Sequence, residues 1–193
     1  MRQWMNLITE AANVAHVLDN PEFQKWFAGS KVVGKDGLPL VCYHGTRHSE
    51  TIHDFRPWTH FGTLGAAHER LRGTNYPDGA GSAPRAASIY PVFLKITNPL
   101  EVDDYTTGGD LAFHLDSEYG AFRNDPCVCE PEEEGMAAGD DYEACDPFSL
   151  ILKDGFDGLF YWNGIEDVGS TSWVITRSDQ VWPIFRSPSR PRL

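Results

Sequence analysis

The chain has 193 residues, 41% of them hydrophobic and 12% aromatic, enough for a packed core and too apolar for a chain that stays unfolded. Its net charge is −12, and nine carboxylates with no Lys or Arg fall between Asp125 and Asp146. Such a surface repels phosphate and argues against general nucleic-acid binding; no apolar run approaches the ~20 residues of a membrane span. The opening "MRQWMNLITEAANVAHVLDN" is too polar for a signal-peptide core, so a cytoplasmic protein with no membrane partner is expected.

Between about Asn6 and Val17 the apolar residues Leu7, Ile8, Ala11, Val14 and Leu18 recur at helical spacing. Asn20-Pro21 opens a second helix with Pro21 at N1, and Phe23, Trp26 and Phe27 share one apolar face. Gly29 suits the end of that helix. "SKVVGKDGLPLVCYHGT" reads as a hairpin, a short strand turning at Gly-Lys-Asp-Gly into a longer one. Residues 62–72, "GTLGAAHERLR", suit an amphipathic helix. "IYPVFLKI" is a strand stopped by Thr97-Asn98-Pro99, and "GLFYWN", "TSWVIT" and "QVWPIF" are three more. A short helix is expected near Phe148 to Lys153, and loops over 73–83 and 124–146.

This pattern predicts an α+β fold, mostly antiparallel, with helices towards the N-terminus. The expected organisation is a helical segment over 1–29, a main domain over 30–186 with an acidic insert at about 124–146, and a frayed basic tail over 187–193. Of the four cysteines, Cys42 fits a core strand. Cys127, Cys129 and Cys145 lie in the acidic segment without the paired spacing and histidine of a zinc site, so no metal is expected.

Three strand ends carry polar residues that packing alone does not explain. In "YHGT", Tyr43 to Thr46, a glycine after a histidine lets a ligand approach the backbone; a simple turn glycine is the alternative. In "THFGT", Thr59 to Thr63, His60 or Phe61 could stack on a flat heterocycle, unless Phe61 is core and His60 a surface residue. In "GFDGLFYWNGIEDVGSTSWVITRSDQV" a loop between two strands carries Glu166 and Asp167, placed to face a reacting centre or simply solvated.

With "F..WF..SKVV...G.PLV" before the "HGT" and "IYPVFLKITNPLEVDD" after it, these motifs resemble the ADP-ribosyltransferase-like domains of phage and mobile-element polyvalent proteins. The resemblance runs from roughly Pro21 to Val181 and leaves the acidic segment outside. It implies a split antiparallel β-core with an NAD+ cleft between its halves, NAD+ being a co-substrate. In the family's histidine–tyrosine–glutamate type, His44 would bond the adenosine ribose, Gly45 would hold the nicotinamide amide through its backbone, and Thr46 would support the turn. His60-Phe61 stands where that type has a nicotinamide-stacking tyrosine before Phe-Thr or Phe-Ser. Aligning "SWVITRSDQV" on the glutamate strand puts Ser172 at the family's glutamate position. Glu166, six residues earlier in the loop, is therefore the candidate carboxylate.

The activity so implied is mono-ADP-ribosylation of a macromolecule, more readily a protein than a nucleic acid given the acidic charge. Two alternatives stay open: a catalytically inactive binding module docking a basic partner through the acidic segment, and an NAD+ glycohydrolase acting as a toxin.

Overall fold

The computed structural model describes residues 12–46, 54–72, 87–104 and 151–185. Residues 12–18 form a helix, α1, whose expected beginning lies outside the described residues. Helix α2, Pro21–Phe27, follows after Asn20, whose side-chain oxygen accepts from the Glu22 N–H at 2.9 Å. Ala28 caps it, and Gly29 at φ +83 turns the chain away in the left-handed conformation open to glycine. Phe23 is fully buried on Phe93 and Trp182, with ring centroids at 4.8 and 5.5 Å. Burying one such ring contributes about 1.5–3 kcal/mol, so α2 is fastened by aromatic packing more than by its own seven residues.

Among the described residues seven strands make two sheets. The first has the order β1-β3-β7, with β1 Cys42–Thr46, β3 Ser88–Leu94 and β7 Val181–Pro183, all antiparallel. The second has the order β2-β6-β5-β4, with β2 His60–Phe61, β4 Pro99–Glu101, β5 Gly158–Trp162 and β6 Thr171–Ile175. Its β4–β5 pair is parallel and the others antiparallel. Helix α3, Leu64–Arg72, lies between β2 and β3 in the chain, a 3-10 turn over Ser178–Gln180 precedes β7, and residues 151–153 form a helical turn before β5. The fold is therefore α+β.

The expected hairpin is reduced to one isolated bridge, Val33 to Pro39, and β1 pairs with β3 instead. The Gly34 N–H donates to the Leu38 carbonyl at 2.8 Å and the Leu40 N–H to the Val32 carbonyl at 3.1 Å, on either side of Pro39, so the bridge asks for no N–H from the proline. The loops expected over 73–83 and 124–146, the short helix's first residues and the basic tail lie outside the described residues.

Among the described residues, three apolar clusters organise the interior. One lies between the sheets, around Val92, Leu94, Ile96, Phe61, Trp173 and Cys42. Burial there pushes the Cys42 thiol up to about 12, so it stays protonated and unreactive at neutral pH. A second covers the far face of the first sheet, where Phe93 and Trp182 meet α1 and α2. The third lies on the outer face of the second sheet, where Leu159, Tyr161 and Val174 meet Val102, Ile151 and Trp58. Gln180 ties the sheet ends: Oε1 accepts from the Thr176 and Arg177 N–H groups at 2.9 and 2.8 Å, and Nε2 donates to the carbonyls of Lys95 and Asp157.

Besides this packing, the two sheets are joined backbone to backbone at a seam. Tyr43 and Gly62 exchange backbone hydrogen bonds, N–H to O at 2.8 and 3.0 Å, which joins β1 to the residue after β2.

Candidate functional site

A cleft of about 580 Å³ opens along the seam, within the range of small-molecule sites. One bank is the end of β1, with Tyr43, His44 and Gly45, joined by Ala66, Ala67 and Arg70 of α3. The other is the outer face of the second sheet together with the loop after β5, with Trp58, Tyr161, Asn163, Glu166 and Ser172.

Strand register decides which side chains reach the second bank. His60 lies across from Val174 and Val174 from Leu159, while Ser172 lies across from Tyr161. Because faces alternate along a strand, these residues share the cleft side, whereas Phe61, Trp173 and Phe160 point into the core between the sheets. Of the two rings in "HF", it is thus His60 that is exposed to the cleft; Phe61 is 1% exposed and packs on Phe55.

His44 is half-buried on β1 with its ring against Phe55 and Phe61, centroids 5.6 Å from each. Its Nδ1 stands 2.8 Å from the carbonyl oxygen of His60. A carbonyl only accepts, so Nδ1 carries the proton and Nε2 keeps its lone pair. Burial lowers the His44 pKa, the His60 carbonyl pulls it back up, and the Arg70 guanidinium lowers it further. The ring is neutral at pH 7 and offers an acceptor to a ligand hydroxyl.

His60 Nδ1 lies 3.0 Å from the Tyr161 hydroxyl. Burial of the ring nitrogens lowers its pKa to about 4; Arg70 and His44 push the same way, and the Glu166 carboxylate opposes them. The Tyr161 hydroxyl can donate to Nδ1 or accept from it, and the proton of the neutral ring sits on Nε2 or Nδ1 accordingly.

Glu166 sits in a loop that owes its shape to Asn163. That side chain is 3% exposed, and its Oδ1 accepts from the N–H groups of Ile165, Glu166 and Asp167 at 3.0, 2.8 and 3.0 Å. Its Nδ2 donates to Glu166 Oε2 at 2.9 Å and to Ser172 Oγ at 3.2 Å. One buried amide thus folds the loop and aims its carboxylate. The neighbouring Asp167 does different work: it accepts from the Thr63 hydroxyl at the start of α3, where a negative charge is favoured. Thr63 Oγ1 in turn accepts from the Ala66 N–H at 3.1 Å.

Gly45 has a packing reason that the sequence did not disclose. A Cβ there would lie 2.6 Å from the Ala67 carbonyl oxygen and 3.3 Å from Leu71 Cγ, so the missing side chain makes room for α3. Its backbone still lines the cleft. Thr46 ends β1 across from Ser88 and is not among the lining residues.

The structure therefore brings His44, Gly45, His60 and Glu166 to one cleft, which core-packed Phe61 also borders, together with Ser172 at the family's glutamate position, and adds Trp58, Arg70, Tyr161 and Asn163, which the motifs did not single out as site residues. Asp103 and Asp104 line it as well, and Asp104 Oδ2 accepts from the Gly164 N–H at 2.5 Å. Among the described lining residues Arg70 is the one Lys or Arg against three carboxylates, Glu166, Asp103 and Asp104. No helix among the described residues is long and apolar enough to cross a membrane. Comparison with protein-family models, curated proteins and solved structures returned no match to this chain.

Proposed function

We propose that the protein is an ADP-ribosyltransferase that binds NAD+ in this cleft and transfers ADP-ribose to a macromolecular acceptor, more readily a protein than a nucleic acid. The observation that carries the reading is that His44 and Glu166, 122 positions apart in the chain, line one cleft at the junction of two sheets. The "HGT", "HF" and "GIEDVGSTS" motifs that resemble the polyvalent-protein ADP-ribosyltransferases all border it.

The chemistry follows from the groups present. His44 Nε2 accepts from a ribose hydroxyl, and the backbone of Gly45 is open to an amide. Arg70 is the cation suited to a pyrophosphate. Glu166, aimed by Asn163, faces the sugar whose bond to nicotinamide breaks; positive charge grows on that sugar, and a fixed carboxylate stabilises it. The electron pair of the broken bond leaves with nicotinamide, which becomes neutral. The acceptor nucleophile bonds to the freed sugar carbon, and Glu166 takes its proton.

The test is incubation with labelled NAD+, with and without cell lysate, read by mass spectrometry. Transfer is expected to mark a macromolecule and release nicotinamide. Glu166→Gln should lower the rate by about 10²–10⁴-fold, and His44→Ala should raise the KM for NAD+. Free ADP-ribose with no labelled macromolecule would make the protein a glycohydrolase. Intact NAD+ throughout would leave a binding module.

A further inference from the structure

Glu166 and Asp167 are neighbours in the loop between β5 and β6, yet of the two only Glu166 lines the cleft. Asp167 turns towards α3. Its Oδ2 accepts from the Thr63 hydroxyl, and its carboxylate lies where Gly65 has no side chain: a Cβ there would stand 3.1 Å from Oδ2 and 3.3 Å from Cγ. Thr63 Oγ1 has a second task, accepting from the Ala66 N–H at 3.1 Å as α3 begins. One hydroxyl thus caps the helix and holds the loop.

The body of α3 rests on the other bank. The Ala67 carbonyl and Leu71 lie so close to Gly45 of β1 that a Cβ there would be 2.6 Å from the carbonyl oxygen. Ala66 and Ala67 stand four and three positions before Arg70, so all three share the face that lines the cleft. The bonds from Asn163 and from Asp104 tie the loop to the second sheet. The bond from Thr63 ties it to α3. Helix α3 is therefore a strut: it carries the Arg70 guanidinium, and its first turn grips the loop that carries the Glu166 carboxylate.

We propose that Thr63 and Asp167 form a clasp that sets the separation of Glu166 from Arg70, and so act as positioning residues for the transfer step. The inference rests on the transferase reading and adds to it. A dinucleotide fixed by its pyrophosphate at Arg70 presents its sugar at a set distance, so the acid must be registered against α3. Displacing a catalytic group by about 1 Å can cost on the order of 10²-fold in rate. Binding through Arg70, His44 and Gly45 does not pass through the clasp.

The experiment follows nicotinamide release over a range of NAD+ concentrations, with unfolding midpoints measured alongside. Asp167→Ala loses the clasp and keeps the helix cap; Thr63→Val loses both. Each should lower kcat by roughly 10- to 100-fold and leave KM within about threefold of wild type. The double variant should be no slower than either single one, as for two halves of one contact. Thr63→Ser and Asp167→Asn keep a donor and an acceptor and should recover most of the rate. Rates that track the unfolding midpoint, with additive losses and the uncapped Thr63→Val the slower single variant, would overturn the inference.

A second readout needs no turnover. The Glu166 carboxylate raises the His60 pKa, against burial, Arg70 and His44. Glu166→Gln should therefore lower the His60 titration point, followed by NMR, and lower it less once Asp167→Ala has freed the loop. An equal drop in both backgrounds would sink the clasp. If wild type leaves NAD+ intact, the transferase reading falls, and this titration alone decides whether the clasp places Glu166. If every variant consumes NAD+ as fast as wild type, the transferase reading stands and the clasp falls.

Discussion

The two banks of the cleft hold their functional groups by different means. His44 is fixed many times over: its place on β1 follows from the register with β3, its ring lies against Phe55 and Phe61, and Nδ1 bonds a backbone carbonyl across the seam. Glu166 has no ladder beneath it. Its loop is held mainly by one side chain, Asn163, which supplies three acceptor bonds and two donor bonds, with Asp104 on the Gly164 N–H and Thr63 on Asp167 as further ties. A position set by strand register is shared among many residues and survives the loss of any one. A position that rests largely on one buried amide is more easily lost.

The contrast is most exposed at Asn163. Asn163→Leu leaves three N–H groups without their acceptor in a partly buried loop, and about 3 kcal/mol of stability should go, read by urea unfolding. Asn163→Asp is the finer probe. It keeps the acceptor oxygen but places a second carboxylate on Glu166, so the fold should largely persist while NAD+ turnover falls at least tenfold. Equal turnover in the wild type and this variant would mean that Asn163 shapes the loop without aiming Glu166.

On the opposite bank, Gly45→Ala drives a methyl to within 2.6 Å of the Ala67 carbonyl unless α3 moves. Overpacking of this kind costs about 1–3 kcal/mol, and the unfolding midpoint reports it. Because Gly45 also lines the cleft, affinity for NAD+ should fall with stability; affinity retained in a destabilised variant would show that its backbone does not touch the ligand.

The smallest effect expected is a pH dependence. His44 and His60 both have pKa values lowered below 6.5 in the folded state, His60 to about 4. The unfolded chain therefore binds their protons first. Stability from this source is complete above pH 6.5 and is lost as pH falls towards about 4. The loss is modest for His60, which is exposed to the cleft. His60→Gln should flatten the fall of the unfolding midpoint over that interval; an unchanged slope would place the acid sensitivity elsewhere.

Much of the fold could be read from local pattern. Asn20-Pro21 as a helix start, Gly29 as its end, and the strands within "IYPVFLKI", "GLFYWN" and "TSWVIT" all stand where turn chemistry and apolar spacing placed them. The site was legible only in part. His44 and Glu166 stood out as polar residues where packing gave no reason for them. Tyr161 did not, because "GLFYWN" buries side chains on both faces and no alternation marks which ring turns to the cleft. Trp58 did not, because nothing in Pro-Trp-Thr announces a tryptophan at φ +67. Gly45 invited a ligand-based explanation, and the nearer cause is a helix that crosses it.

Short-range chemistry, which depends on neighbours a few positions away, was settled by the amino-acid order: where helices begin, where strands run, which loop bears an acid. Which sheets form, that β1 leaves its hairpin for β3, and that a tryptophan, two histidines and a glutamate from separate stretches border one cleft depend on contacts across tens to more than a hundred residues. Those contacts are chosen by register and by the packing of whole faces, and such choices exist only once the chain has closed on itself.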